Sequence, residues 1–241
     1  MKHSALREQI IALELGRSER QVLPFGLPDI DEALQGGIDL GAMHEISGPA
    51  AVLFTQVIIR QKGEEVAWLS MENLNEEYYP YGLLQSETDP ARFIVVRSQN
   101  SRDLLKAAYE VLASNAVGCV LLEVQEALTQ TQMRKLQIAV KNTRTLGLIL
   151  NTDYTGSAAP ESKGLLGSAL TRWYVQVLHW TYETTQIELY LTKNRHGSPC
   201  HWIVEIDHAT HHLHLVPISG KRAIDQAESR TVAEALCPDH P

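Results

Sequence analysis

The 241-residue chain predicts an α/β domain: a mostly parallel sheet flanked by helices, with antiparallel strands added at its C-terminal edge. Four short apolar runs between residues 42 and 122 each precede a helix-length segment, and a fifth run follows. Buried runs alternating with helices are what a parallel sheet covered on both faces requires. Beyond residue 170 the apolar period falls to two, the pattern of antiparallel strands. Apolar residues make up 44% and charged residues 21%, the balance of a folded domain with a real core.

The elements follow in order. Leu6, Ile10 and Leu13 recur at i, i+4 and i+7, which predicts an amphipathic N-terminal helix within residues 1–20, ended by Gly16. Residues 21–219 form the core domain. Pro28 at a first helical position, Asp29 and Asp31 near the positive end of the helix dipole, and Gly36-Gly37 as C-cap predict a short helix to Leu34. Strands are expected at Ala42 to Ile46, Val66 to Leu69, Phe93 to Val96, Val117 to Leu122 and Leu146 to Leu150. The helices between them are expected at Ala50 to Lys62, Asn75 to Leu84, Leu104 to Leu112 and Met133 to Val140.

Small and polar residues from Asn151 to Ser168 read as a long mobile loop. Antiparallel strands follow at Trp173 to Trp180, Gln186 to Leu191, His201 to Ile206 and Leu213 to Val216. Alternation puts Trp173, Val175, Val177 and His179 on one face, with Trp173 in the core. Residues 220–241 read as a flexible or partner-ordered tail with a weak helical pattern from Ile224 to Leu236.

Composition excludes several classes. The longest apolar runs, such as Cys119 to Leu122, fall far short of the roughly 20 residues of a membrane span, so no membrane is expected. Three scattered cysteines, Cys119, Cys200 and Cys237, assemble neither a disulfide framework nor a zinc site, which fits a reducing, cytoplasmic compartment. A formal net charge of -8 repels a phosphate backbone, so DNA is expected to bind only weakly or indirectly.

The string Gly36-Gly37-Ile38-Asp39-Leu40-Gly41-Ala42-Met43-His44-Glu45-Ile46-Ser47-Gly48-Pro49 resembles the approach to the phosphate loop of the RecA recombinase family. The remaining segments run in that family's order. Ala67 to Glu72 resembles the strand that delivers the catalytic Glu, and Val117 to Glu123 resembles the Walker B strand, with Glu in place of Asp. Leu148 to Asn151 and the loop after it resemble the next strand and DNA-binding loop; Gly167 to Leu170 and Lys193-Asn194-Arg195 match the last strands. The likeness spans roughly Leu23 to Pro217.

One departure decides the chemistry. A Walker A loop needs G-x-x-x-x-G-K-[ST], because glycine amides wrap the phosphates, lysine reaches the β and γ oxygens and the hydroxyl holds magnesium. Counted from Gly48, the Gly-Lys-Thr positions hold Leu53, Phe54 and Thr55, so Gly48, Pro49, Ala50 and Ala51 form a degenerate phosphate loop. Without lysine and anion nest, most of the electrostatic hold on a triphosphate is gone. The chain is therefore expected to be no enzyme and to carry no cofactor and no metal.

A RecA-like core without its phosphate loop, opened by Leu23-Pro24-Phe25-Gly26-Leu27-Pro28 and carrying Leu170-Thr171-Arg172-Trp173 and Trp202-Ile203-Val204-Glu205, is similar to the ImuA family. That resemblance implies a damage-induced (SOS) accessory protein of error-prone translesion synthesis. Its implied partners are ImuB, a catalytically inactive Y-family polymerase relative, RecA, and through the complex an error-prone polymerase III alpha-type subunit. The sister family, SulA, whose members inhibit cell division by binding FtsZ, is the alternative; the length of this chain and its tail speak against it. A divergent RecA-like ATPase, or a metal hydrolase built on the His region, represents the enzyme class.

Glu72 and Glu123 are expected at the carboxyl edge of adjacent strands, as solvated or paired relics of a site. In the recombinase family the basic pair matching Lys193 and Arg195 reaches a neighbour's nucleotide, so these residues, with Arg172, are candidates for partner binding. His201, His208, His211, His212 and His214 gather in one hairpin region, but no spacing matches a metal cage, and a polar outer face is expected.

Overall fold

The computed structural model describes residues 20–72, 88–151 and 169–217. A nine-stranded sheet runs through them. Its strands are β3 (Ala42–Ser47), β4 (Val66–Met71), β5 (Phe93–Ser98), β6 (Cys119–Val124), β7 (Leu146–Asn151), β8 (Thr171–Trp180), β9 (Thr184–Asn194), β10 (Cys200–Asp207) and β11 (Leu213–Val216). Their spatial order is β11-β10-β9-β8-β3-β7-β6-β4-β5. The six strands from β8 to β5 in that order are parallel, and β9, β10 and β11 extend them antiparallel. A two-residue antiparallel pair, β1 (Val22–Leu23) with β2 (Ile38–Asp39), precedes the main sheet.

Four α-helices lie among the described residues: α1 (Pro28–Ala33), α2 (Ala51–Lys62), α3 (Ser101–Ser114) and α4 (Gln130–Val140). The central strands read as unbroken apolar runs because both faces are covered: every residue of β6 is buried, as is β7 up to its last residue. On one face, α2 packs Phe54 and Ile58 into a core that continues through Trp173, Ile187 and Val204. On the other, α3 presents Leu104, Ala108 and Leu112, and α4 presents Met133 and Leu136, against Leu69, Val120 and Leu122.

Several boundaries differ from the sequence reading for identifiable reasons. Helix α1 is capped at Leu34, and the chain turns left-handed one residue earlier than expected, at Gln35 (φ 57). Helix α4 begins three residues before Met133 because Thr129 and Gln132 form a capping box, each side chain bonded to the other's backbone amide. A β-bulge between Val177 and His179 breaks the alternation in β8: Val177 pairs with Ile187 but His179 pairs with Gln186. His179 therefore lies on the face opposite Val177, and Trp180 takes its place.

Expectations for residues 1–19, 73–87, 152–168 and 218–241 lie outside the described residues. These include the N-terminal helix, the helix at Asn75 to Leu84, the loop and the tail. No helix among the described residues is long and apolar enough to cross a membrane.

Candidate functional site

The Gly48-Pro49-Ala50 turn, expected from the sequence to be a degenerate phosphate loop, follows the carboxyl end of β3. Three residues, Gly48, Pro49 and Ala50, join β3 to α2, so the Leu53, Phe54 and Thr55 positions fall inside the helix. An anion nest needs free amides. Pro49 has none, the Ala50 amide donates to the Val175 carbonyl at 3.0 Å, and the Ala51 amide closes the turn on the Gly48 carbonyl at 3.0 Å. Gly48 is left-handed (φ +102), and a Cβ there would overlap the Val175 backbone, so the turn is pressed flat against β8.

Phe54 stands where the lysine would be and points into the core, parallel to Phe25 at 5.8 Å and tilted 5.3 Å from Trp173. The Thr55 hydroxyl is buried with no hydrogen-bond partner, held away from solvent by the helix that carries it.

Glu72 and Glu123 come from neighbouring strands, since β4 and β6 pair in parallel register. Glu72 is exposed just past β4, whereas Glu123 is buried near the end of β6 and accepts the Trp68 indole N–H at 3.0 Å. A cleft of about 280 Å³ beside them is lined by Met71, Ser101, Glu123, Glu126 and Gln132.

The basic residues sit side by side on β8 and β9, with an acidic residue on β3 beside them. Glu45 on β3 is opposite Arg172 on β8, which is opposite Lys193 on β9. Arg172 Nε and Glu45 Oε2 form an ion pair at 2.8 Å. Burial, followed by the guanidinium groups of Arg195 and Arg172, lowers the Lys193 pKa, with Glu45 opposing. Arg195 is exposed just beyond the end of β9. The structure thus brings Arg172, Lys193 and Arg195 into one cationic cluster, with the Glu45 carboxylate beside it.

The same sheet face carries Tyr174, Tyr190 and His201 on successive strands, with the Tyr190 and His201 rings stacked at 4.3 Å. Glu188 accepts hydrogen bonds from Gln176 Nε2 at 2.5 Å and His201 Nε2 at 2.8 Å. Burial alone would raise the Glu188 carboxyl, but these donors hold it below the usual carboxylate range. His201 is thus a hydrogen-bond partner of Glu188, and His212 and His214 meet edge to face at 6.5 Å. No group of three or more His, Cys, Asp or Glu among the described residues has the arrangement of a metal site.

Sequence reasoning missed a buried polar chain beneath the site. The Trp173 indole donates to Thr171 Oγ1 at 2.9 Å, Thr171 Oγ1 lies 2.7 Å from His44 Nδ1, and His44 Nε2 lies 2.9 Å from the Asp39 carbonyl. One assignment satisfies every link: the Thr171 hydroxyl donates to Nδ1, and a neutral His44 donates from Nε2. Burial, only partly opposed by the Asp39 carbonyl, lowers the His44 pKa to about 4. The Asp39 carboxylate takes a bidentate pair from Arg20 (2.5 and 3.0 Å) and a His196 Nε2 contact at 3.1 Å. Burial pulls that carboxyl up, yet His196 and Arg20 outweigh it and bring it down to about 2. The signal in the sequence was a histidine inside the run Ala42 to Ile46, beside Glu45.

No protein-family model matches the chain, and no curated protein does. Solved structures do. The crystal structure of the RadB recombinase is similar over 78% of this chain and 97% of that one, with a TM-score of 0.57 and 14% identity. The fold is therefore RecA-like: a mostly parallel sheet flanked by helices, extended by antiparallel strands at its C-terminal edge. Within that fold, the turn after β3 is Gly48-Pro49-Ala50, closed onto β8.

Proposed function

We propose that the chain is a non-catalytic adaptor in an SOS-induced, error-prone translesion synthesis complex, binding an ImuB-type inactive polymerase relative. One observation carries the non-catalytic half: the turn that should wrap a triphosphate spends its Ala50 amide on Val175 and fills the lysine position with a core phenylalanine. The partner half rests on the ImuA-like motifs, and the RecA-like fold is consistent with it. Equilibrium dialysis of the purified chain with magnesium and ATP is expected to detect no retention, and the chain is expected to co-purify with the polymerase-like partner. Tight magnesium-dependent ATP retention with turnover would sink the adaptor reading in favour of a divergent ATPase.

The cationic cluster supports a contact with RecA in the same scheme. Arg195 is exposed and Lys193 lies beside it, so the pair is placed to engage an anionic site on a neighbouring protein, including the nucleotide of a RecA filament end. Replacing Lys193 and Arg195 with Glu is expected to remove any effect of the chain on RecA filaments while leaving its melting temperature within a few degrees of wild type.

A further inference from the structure

On the side facing β3, the hairpin joining β8 and β9 outruns its neighbour, while β10 stays paired with β9 as far as Thr184. Strand β8 runs ten residues, but only Thr171 to Tyr174 pair with β3. Val175 still lies against the Gly48-Pro49-Ala50 turn, and the five residues from Gln176 to Trp180 continue beyond β3 with β9 alongside, a reach of roughly 16 Å at about 3.3 Å per residue. Four large side chains at its end are exposed: Val177 at 44%, Leu178 at 50%, Trp180 at 71% and Tyr182 at 95%. Together they present roughly 500 Å² of largely apolar surface, at the top of what a monomer ordinarily shows.

Such a tip is expected to be floppy, and this one is braced. The Thr181 amide donates to the Thr184 carbonyl at 2.7 Å, and Thr181 Oγ1 accepts from the Glu183 amide at 3.2 Å and the Thr184 amide at 2.9 Å. Just past β10, the His208 amide donates to the Glu183 carbonyl at 2.8 Å, while its ring nitrogens lie 3.0 Å from the Tyr182 carbonyl and 2.8 Å from Thr185 Oγ1. The bulge at Leu178 rotates Trp180 onto the face of Val177. These contacts fix the turn that carries Trp180 and Tyr182, and solvation alone gives no reason to set two such rings in water on a braced backbone. Binding does, because aromatic anchors carried on a braced backbone cost less ordering entropy when they dock.

We propose that the β8–β9 tip is a docking plug that inserts Trp180 and Tyr182 into an apolar cleft of a different protein. The area argues against a second copy of this chain. Two such patches face to face would bury about 1,000 Å² in total, below the roughly 1,200–2,000 Å² of a stable complex. A concave partner that wraps both sides of the hairpin reaches that range. The cleft is lined by apolar side chains, is deep enough for an indole and a phenol ring, and avoids acidic residues where Glu183 approaches.

For the partner's identity this rests on the adaptor reading, so the probe is the purified ImuB-type polymerase relative. Calorimetric titration of the full chain and its Trp180→Ala, Tyr182→Ala double variant into that protein is paired with sedimentation of each chain alone. The expected result is a monomer in both cases, equal melting temperatures, binding by the wild type, and at least about 30-fold weaker binding by the variant. Equal binding by both chains overturns the plug and leaves the adaptor reading standing. Absence of wild-type binding overturns the adaptor reading and the plug with it. Self-association that the double variant abolishes overturns the plug in favour of a contact between copies.

Discussion

Phe54 condenses the divergence of this chain into one side chain. A lysine there would have to reach outward to an anion, but the backbone at position 54 directs its side chain into a cluster with Phe25 and Trp173. Restoring the lysine alone is therefore not a restoration of function. Phe54→Lys is expected to lower stability in urea by at least about 3 kcal/mol and to leave magnesium-ATP binding undetectable by dialysis. Gly48 makes the complementary case. Its left-handed backbone lies against Val175 with no room for a Cβ, so Gly48→Ala is expected to lose about 2 kcal/mol or more in the same urea titration. The lost Walker A residues were legible in the sequence because a motif is a matter of identity and spacing. That Phe54 is a core residue was not, since the direction of a side chain depends on where its helix begins.

At the scale of elements, the strand-helix alternation was legible wherever period and length agreed, as in β3, β6, β7 and α3. Helix α4 starts earlier than its apolar period because its first turn is polar, and there Thr129 and Gln132 carry the start signal. Thr129→Ala is expected to cost about 1 kcal/mol in thermal or urea unfolding, with little change in helix content of the native state. The β8 bulge was not legible. An extra residue is a property of a pair of strands, fixed when Val177 meets Ile187 and His179 meets Gln186, and it alone decides that Trp180 rather than His179 shares the face of Val177.

At the scale of the molecule, the buried chain from Trp173 through His44 to Asp39 ties the first β-pair, β3, β8 and the turn after β9 into one unit. It also sets an acid limit. His44 is neutral in the folded chain down to about pH 4, whereas an unfolded histidine takes up a proton near pH 6.5. Protons then bind preferentially to the unfolded state, so stability falls as pH drops from about 6.5 to about 4, by about 3 kcal/mol. Asp39, ionised in the fold down to about pH 2, extends the loss below pH 4, because stability that depends on its ionised form disappears as it protonates. Melting temperatures measured from pH 7 to pH 4 are expected to decline, and a His44→Gln variant is expected to show a shallower decline over that interval.

The sequence by itself determined the fold class and that a Walker A signature does not follow Gly48, because apolar period and motif spacing are local along the chain. It placed Lys193, Arg195, Glu72 and Glu123 near the correct strand ends for the same reason. Only the tertiary structure decided what fills the vacated turn, which cations share a face, and which aromatic rings stand in water on a braced hairpin. Those outcomes depend on the meeting of segments such as Gly48 with Val175 and His208 with Tyr182, more than twenty residues apart, where packing and register, not local propensity, set the geometry.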